Sequence, residues 1–433
     1  MILKSFRLTQ NQLRLLARSI PAALLLCLAG LVGTLATVPS RADTIEHSGT
    51  ISAQTTWSAD DVHLVTANLT VGIGVRLTIE AGTVVKLGTN VQLRIDGVLE
   101  AAGTLTDPII FTSYRDDSVG GDTNGDGPSR GQPGDWSGLY FDDSVTDSQV
   151  IFDHVQVRYG GAGDRGQIRI DRADLDLTNC DVRDGSGDGL YINDNLTRIQ
   201  GCVIEDNAGT GIYVRGNAGD EQARLIGNRI SGNQDGVRVN AAIPVIADNE
   251  ISDNADWGID FEGTWAAPPI TGNQITGNAR AARLPASALP QPGDGNRLTP
   301  NDRSGLWIRG NELSRDLVLG IEGSGTEELS RYHIEGRLNV PAGRSLSIDP
   351  GVVIKFADGA GMDIVGALQA LGTHQAPIVF TGERDDAHGA DMNADGTASA
   401  PANGDWRGLS FANAEDGASE LRHVKVLYGG SYV

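Results

Sequence analysis

Two short acidic stretches carry the spacing that hard-cation chemistry needs. Asp122-Thr-Asn124-Gly-Asp126-Gly127 and Asp391-Met-Asn393-Ala-Asp395-Gly396 set side-chain oxygens at alternate positions, where they converge on one point, with Gly for the sharp turn. This is the opening of a calcium loop. Position 12, where an EF-hand has its bidentate Glu, is Pro133 in one stretch and Ala402 in the other, so neither is an EF-hand. Asp116, Asp117 and Asp135, and Asp385, Asp386 and Asp405 in the second stretch, are the donors available to complete a shell. A structural calcium is expected, since an insert of about 20 polar residues needs something to order it. The competing reading is a solvated acidic loop held by Asx-turns.

A second set of chemical side chains lies on short alternating segments, each opened by Gly: Gly189-Leu-Tyr191-Ile, Gly211-Ile-Tyr213-Val, Gly236-Val-Arg238-Val and Gly258-Ile-Asp260-Phe. The second position after Gly reads Tyr191, Tyr213, Arg238, Asp260, and the fourth reads Asn193, Arg215, Asn240, Glu262. If the aliphatic residues point inward, all of these point outward. Gly305-Leu-Trp307-Ile-Arg309 extends the pattern. Aromatic, guanidinium, amide and acid groups along one track suit a polysaccharide, whose sugars stack on rings and bond to planar groups. The alternative is an ordinary solvated face with Arg238 neutralising Asp260. Asp260 and Glu262, two apart on one strand, would hold their carboxylates about 6–7 Å apart, a separation compatible with glycosidase chemistry. In so acidic a chain such a pair is common, and no catalytic residue is assigned.

Other motif matches fail on context. Gly161-Ala-Gly163-Asp-Arg-Gly166 imitates a dinucleotide fingerprint but leads into a strand, not a helix. Gly127-Pro-Ser129-Arg-Gly131 imitates a nucleophile elbow inside the acidic insert, with no strand before it. The seven His are scattered, and His154 and His423 read as satisfied coil positions.

The elements that must position these groups repeat with a period near 22. Asn228, Asn249 and Asn273 each open a segment Asn-x-Ile-x-x-Asn, closed by Asn233, Asn254 and Asn278. Cys202 opens the same unit ending at Asn207, and Cys180 opens a looser copy. Strands this short, divided by Gly, Asn and Asp, cannot form hairpins in register. They fit a parallel β-helix in which equivalent residues stack about 4.8 Å apart, Asn forms amide ladders at the corners, and inward Ile, Val and Leu stack as columns. A leucine-rich solenoid would need periodic Leu and a helix per repeat, and helical periodicity is absent after residue 42. In-register stacking places Cys180 and Cys202 about 5 Å apart but with side-by-side Cβ vectors, which favours reduced thiols over a bridge.

A larger repeat is displaced by 269–270 residues. Val71–Leu87 corresponds to Val340–Phe356, and Pro108-Ile-Ile-Phe-Thr112 to Pro377-Ile-Val-Phe-Thr381. Asp135-Trp136 pairs with Asp405-Trp406, and Tyr159-Gly160-Gly161 with Tyr428-Gly429-Gly430. Both copies resemble the opening coils of bacterial secreted proteins with right-handed parallel β-helix (pectin-lyase-like) repeats. That resemblance implies an all-β solenoid with Asp-rich loop insertions, at the cell surface or outside the cell. It implies no particular reaction, because the fold hosts lyases, hydrolases, epimerases and adhesins alike.

Residues 1–42 read as a signal peptide: a basic stretch, an apolar run through Ala22-Ala-Leu-Leu-Leu26, and Ser40-Arg-Ala42 before Asp43. An uncleaved anchor is the alternative, and after cleavage no stable membrane span is expected. This segment holds five basic residues (Lys4, Arg7, Arg14, Arg18, Arg41) and no acid, so the remainder holds 29 basic against 56 acidic residues. A chain so acidic repels phosphate backbones and anionic lipid, which argues against nucleic-acid partners. Gly reaches 57 of 433 residues with aromatics at only 5%, too Gly-rich for a helical protein. The expected organisation is a signal peptide at 1–42; a first copy at 43–161 with an insert at 114–135; central coils at 162–282; a Pro/Gly-rich loop at 283–303; and a second copy at 304–433 with an insert at 383–405. The second copy stops soon after Gly430, so a fragment of a longer protein is one expectation. The expected function is non-catalytic binding or display at the cell surface, with a polysaccharide or cell-surface glycan as ligand. A polysaccharide lyase, glycoside hydrolase or epimerase is the alternative.

Overall fold

The computed structural model describes residues 43–431 except 164–165, 195, 217–222, 264–267, 321–329, 412–413 and 415–416. The signal-peptide expectation therefore lies outside the described residues, among which no helix is long and apolar enough to cross a membrane. Beyond two single 3-10 turns, Asp147–Gln149 and Ala286–Ala288, the regular structure described is strand.

Each coil supplies three short strands, one per face. A representative coil runs Val203–Glu205 on face one, Ile212–Arg215 on face two and Arg224–Ile226 on face three, then returns to face one at Arg229–Ser231. Every strand pairs in parallel with its counterpart one coil away. The short alternating segments form these strands because every second residue is apolar and finds an identical neighbour in register. Val85, Phe111, Val157, Val182, Ile204, Ile230, Ile251 and Ile275 stack in one such inward column, and all are fully buried. Each such side chain contributes roughly 1.5–3 kcal/mol by burial, so the aliphatic columns supply much of the solenoid's stabilisation.

The corners explain the Asn-x-Ile-x-x-Asn signature. The residue before each ladder Asn adopts left-handed backbone: Gly227, Asp248 and Gly272 before the first slot, and Asp206, Gly232, Asp253 and Gly277 before the second. Asp and Gly tolerate this region, which is why they alternate there. The turn orphans the next backbone N–H, and the ladder side chain of the following coil accepts it. Asn233 N–H donates to Asn254 Oδ1 at 3.0 Å, and Asn254 N–H to Asn278 Oδ1 at 3.0 Å. The amides also bond one another, Asn233 to Asn254 at 3.1 Å and Asn254 to Asn278 at 2.9 Å. Gly236, opening a face-two strand, has the next coil so close that an added Cβ would meet Gly258 O and Ile251 Cγ2 at 2.5 Å.

Segment 283–303, expected as a loop, is irregular but completes a coil. Asn296 accepts from Asn273 and Asn301 from Asn278, adding a rung to each ladder that the sequence reading did not include. Cys202 occupies the first ladder, with its N–H donating to Asn228 Oδ1 at 2.9 Å. Both Cys180 and Cys202 are free and buried, the Cys180 N–H donates to Cys202 Sγ at 3.3 Å, and burial pushes the Cys180 thiol well up.

The two copies form one continuous solenoid, but out of phase. In the first copy, Val84–Leu87 and Ile109–Ser113 belong to face one, which continues into Val155–Arg158 and Asp181–Arg183. Their counterparts, Val353–Phe356 and Ile378–Gly382, instead continue face two, through Arg280–Leu284, Arg303–Ile308 and Arg331–Ile334. The second copy is thus entered one face, or about a third of a turn, later.

At the N-terminal end the inward columns finish on polar aromatics. His47, Trp57 and His63 stack with ring centroids 4.6, 4.9 and 5.1 Å apart. His63 sits in register above Val85 and Trp57 above Ile79, so the rings cover the aliphatic interior.

Candidate functional site

The expected strand register holds on face two. Ile212, Val214, Val237, Val239, Ile259 and Phe261 are buried inward, and Tyr191, Tyr213, Arg238 and Asp260 occupy successive outward rungs. The column is longer than the sequence reading had it. Toward the N-terminus it continues through Arg169 and Tyr140 to Arg94, and toward the C-terminus through Arg283 and Trp307 to His333. Gly138-Leu-Tyr140-Phe141 repeats the Gly-led pattern and was the available signal for the missed rungs.

Guanidinium and ring groups alternate along this column. Tyr140 lies between Arg94 and Arg169, at 4.8 and 4.7 Å from its ring centroid. Tyr191 and Tyr213 meet edge to face at 5.4 Å, and Arg238 lies 5.8 Å over Tyr213. The parallel outward column holds Asn193, Arg215 and Asn240. Arg215 is exposed beside Tyr191, whose hydroxyl leads the groups that hold its guanidinium pKa up. Burial, then Glu262, raises the Tyr213 phenol.

Two members of the expected set are not open ligand-facing groups. Asp260 is buried, and its two oxygens accept from Arg283 Nε at 2.6 Å and Arg283 NH2 at 2.7 Å, with Arg309 3.6 Å away. Arg238 therefore does not neutralise Asp260 but pairs with Glu262 at 2.5 Å, and Asn240 also donates to Glu262. Arg238 and Arg283 flank Asp260 on adjacent rungs, and the side-chain packing gives Asp260 to Arg283. Both carboxylates of the Asp260–Glu262 pair are thus engaged by guanidinium groups, and that of Asp260 is buried.

In the acidic inserts the structure gathers a subset of the expected donors. Carboxylate oxygens of Asp117, Asp122 and Asp126 lie within 4.8 Å of one another, as do those of Asp386, Asp391 and Asp395. Asn124 and Asn393 each donate an amide N–H to the last of these, at 2.8 and 2.9 Å. The oxygens Asn124 Oδ1, Asn393 Oδ1, Asp117 Oδ1 and Asp386 Oδ1 are buried with no hydrogen-bond donor. Burial would raise the Asp122 carboxyl, but the backbone amides of Gly125, Gly127, Asp126 and Asn124 outweigh it and hold it below the usual range.

Asp116, Asp135, Asp385 and Asp405 do other work. Asp116 accepts from Thr112 at 2.7 Å and Asp385 from Thr381 at 2.6 Å. Asp135 binds Ser113, Arg115 and the Gln132 N–H, and Asp405 binds Arg384 and the Ala402 N–H. These four tie the ends of each insert to the wall, which is where Gly134-Asp135-Trp136 and Gly404-Asp405-Trp406 grip the next coil. Their N–H groups converge on Tyr159 O and Tyr428 O, while Trp136 and Trp406 donate to Arg158 O and Leu427 O at 2.8 Å.

The sequence reading passed over Lys86 and Lys355. Both are fully buried beneath their inserts, donating to Gly121 O and Ala390 O. Desolvation pulls both ammonium groups down against the nearby carboxylates, Asp117, Asp116 and Asp122 around Lys86, and Asp386, Asp385 and Asp391 around Lys355. A Lys at the same place in both copies, inside an otherwise apolar strand, was the signal.

Residues 144–314 match the family model described as right handed beta helix region. No curated protein and no solved structure matches the chain. Matched coils and uniformly parallel faces together make this protein an all-β right-handed parallel β-helix.

Proposed function

We propose that the protein is an exported, non-catalytic solenoid that binds a glycan at the cell surface along face two. One observation carries the reading: a column of outward Arg and Tyr side chains from Arg94 to Arg238, at the roughly 4.8 Å rung spacing of a parallel sheet. Sugars present apolar faces to rings and hydroxyls or carboxylates to guanidinium and amide groups, so a chain along the axis meets a new partner at each rung. A structural calcium in each insert belongs to the same reading. The carboxylate trios and their donor-less buried oxygens suit a hard cation, although Lys86 and Lys355 already supply one positive charge to each.

Glycan-array and calorimetric titration of residues 43–433, on uronate and neutral polysaccharides with and without calcium, tests this. Tyr213→Ala and Arg238→Ala should each weaken binding about tenfold, or ~1.4 kcal/mol. Both are partly exposed, so stability should change by about 0.5 kcal/mol or less. Undiminished binding in both variants removes face two as the site, and turnover of any polysaccharide in the same assay replaces this reading with the lyase, hydrolase or epimerase.

A further inference from the structure

The phase shift between the two copies has a consequence for face two. The first insert folds back over its own copy's outward wall, where Gly120 lies against Val62, Val84 and the Lys86 stem. The second insert does the same over Val353 and Lys355. In the second copy, however, that wall is the continuation of face two. The insert is therefore laid in line with the Arg–Tyr column and not beside it.

Its reach is visible in the packing. Met392 sits with Trp257 and Trp307 in an apolar cluster separate from the solenoid interior, and the two indoles meet edge to face at 5.2 Å. Glu383 of the insert binds His333 at 3.1 Å, one rung further on. Exposure changes abruptly here: the Arg238 side chain is 43% exposed, whereas Trp307 retains 4% and Lys355 none. Toward the N-terminus the Arg94 and Arg169 side chains keep 34% and 23% exposure.

We propose that face two is a one-ended groove, in which a glycan lies with one chain terminus against the wall of Trp257, Trp307 and Met392 and leaves past Arg94. This rests on the glycan reading above. Arg283, held over Trp257 at 4.8 Å and fixed by Asp260, and Arg238 are polar groups on the column beside the closed end. They meet the terminal sugar's hydroxyls or carboxylate, and the site thus selects chain ends over chain interiors.

End-blocked ligands test this. Oligouronates and neutral β-linked oligosaccharides are titrated untagged, with a bulky fluorophore at the reducing end, and with the same group at the non-reducing end, following intrinsic Trp fluorescence and calorimetry. The expected result is a loss of at least tenfold for one tagged end and little change for the other. Equal binding of both tagged forms means an open groove and overturns the inference, while leaving the glycan reading intact. No binding of any untagged oligosaccharide overturns the glycan reading, and this inference with it. Met392→Ala, checked for an unchanged melting temperature, should narrow the difference between the two tagged forms. An undiminished difference would show that the insert is not the wall.

Discussion

Asn254→Ala measures what the corner ladder contributes. The Asn254 side chain is almost wholly buried and makes four hydrogen bonds. Its Oδ1 accepts from Asn233 N–H and Asn233 Nδ2, and its Nδ2 donates to Ile230 O at 3.3 Å and Asn278 Oδ1 at 2.9 Å. Truncation leaves the Asn233 N–H without an acceptor, which costs about 1–3 kcal/mol for a buried group. The other three bonds end on groups that keep a second partner, so each contributes nearer 0.5–1 kcal/mol. The expected loss is about 3–5 kcal/mol, at the large end for a single exchange. Asn254→Asp keeps the acceptor but turns an oxygen toward Ile230 O and Asn278 Oδ1, so it should cost at least as much. Gln234→Ala, exposed next to Asn233 at the corner of the preceding coil, should stay within about 0.5 kcal/mol. Because solenoids unfold in part, amide exchange at Asn233 should accompany urea denaturation followed by circular dichroism. A loss below about 1 kcal/mol, with Asn233 still protected, would refute the view that amide stacking holds the corners.

Asp260→Ala should destabilise by about 2–3 kcal/mol, since it removes both hydrogen-bond acceptors of Arg283 and leaves it with Glu335 at 3.7 Å, whereas Glu262→Ala should cost about 1 kcal/mol or less; equal small effects in urea melts would mean Asp260 is open to solvent. Chelation should lower the melting temperature, because a cation bound only to the folded state stabilises it, and Asp122→Ala with Asp391→Ala should abolish that shift; an unchanged melting temperature at millimolar calcium rejects the metal. The N-terminal stack should loosen in acid. His63 donates from Nε2 to Ser58 O at 3.1 Å, which leaves Nδ1 to accept from His47 at 2.9 Å, and burial, with His63 second, lowers the His47 pKa to about 4. A depressed His pKa means stability that is complete above the unfolded value of 6.5 and is lost as pH falls toward about 4. Allowing for the partial exposure of His47, this amounts to about 1–2 kcal/mol, and a His47→Phe variant with the same pH profile as the parent would contradict it.

Much of the solenoid was legible because its determinants are local and repeated. An Asn behind a left-handed Asp or Gly, and an alternating strand behind a Gly too crowded to bear a Cβ, recur each coil, and stacking turns each recurrence into a contact. That is why Tyr191, Tyr213 and Arg238 could be placed on one outward column. Asn296 and Asn301 were missed because their coil lacks the strands around them. What the sequence could not contain was which partner each charge would take. Asp260 sits equally near Arg238 and Arg283 in coil number, and only the side-chain packing assigns it to Arg283 and Arg238 to Glu262. Asp116 and Asp122 are equally acidic in the chain, yet burial under Thr112 commits one to the wall while the turn at Gly125 leaves the other in the carboxylate trio.

The same division holds for the duplication. Two copies 269–270 residues apart, each with an Asp-rich insert, follow from composition and spacing alone. Their angular relation does not. A coil's length varies with its corners, and the irregular segment through Pro285–Pro300 completes its coil and returns the chain to face two. Parallel pairing of Arg303–Ile308 with Arg331–Ile334, and of Arg331–Ile334 with Val353–Phe356, sets the second copy on face two, a third of a turn later than the first, and this backbone pairing decides that the second insert lies on the Arg–Tyr column.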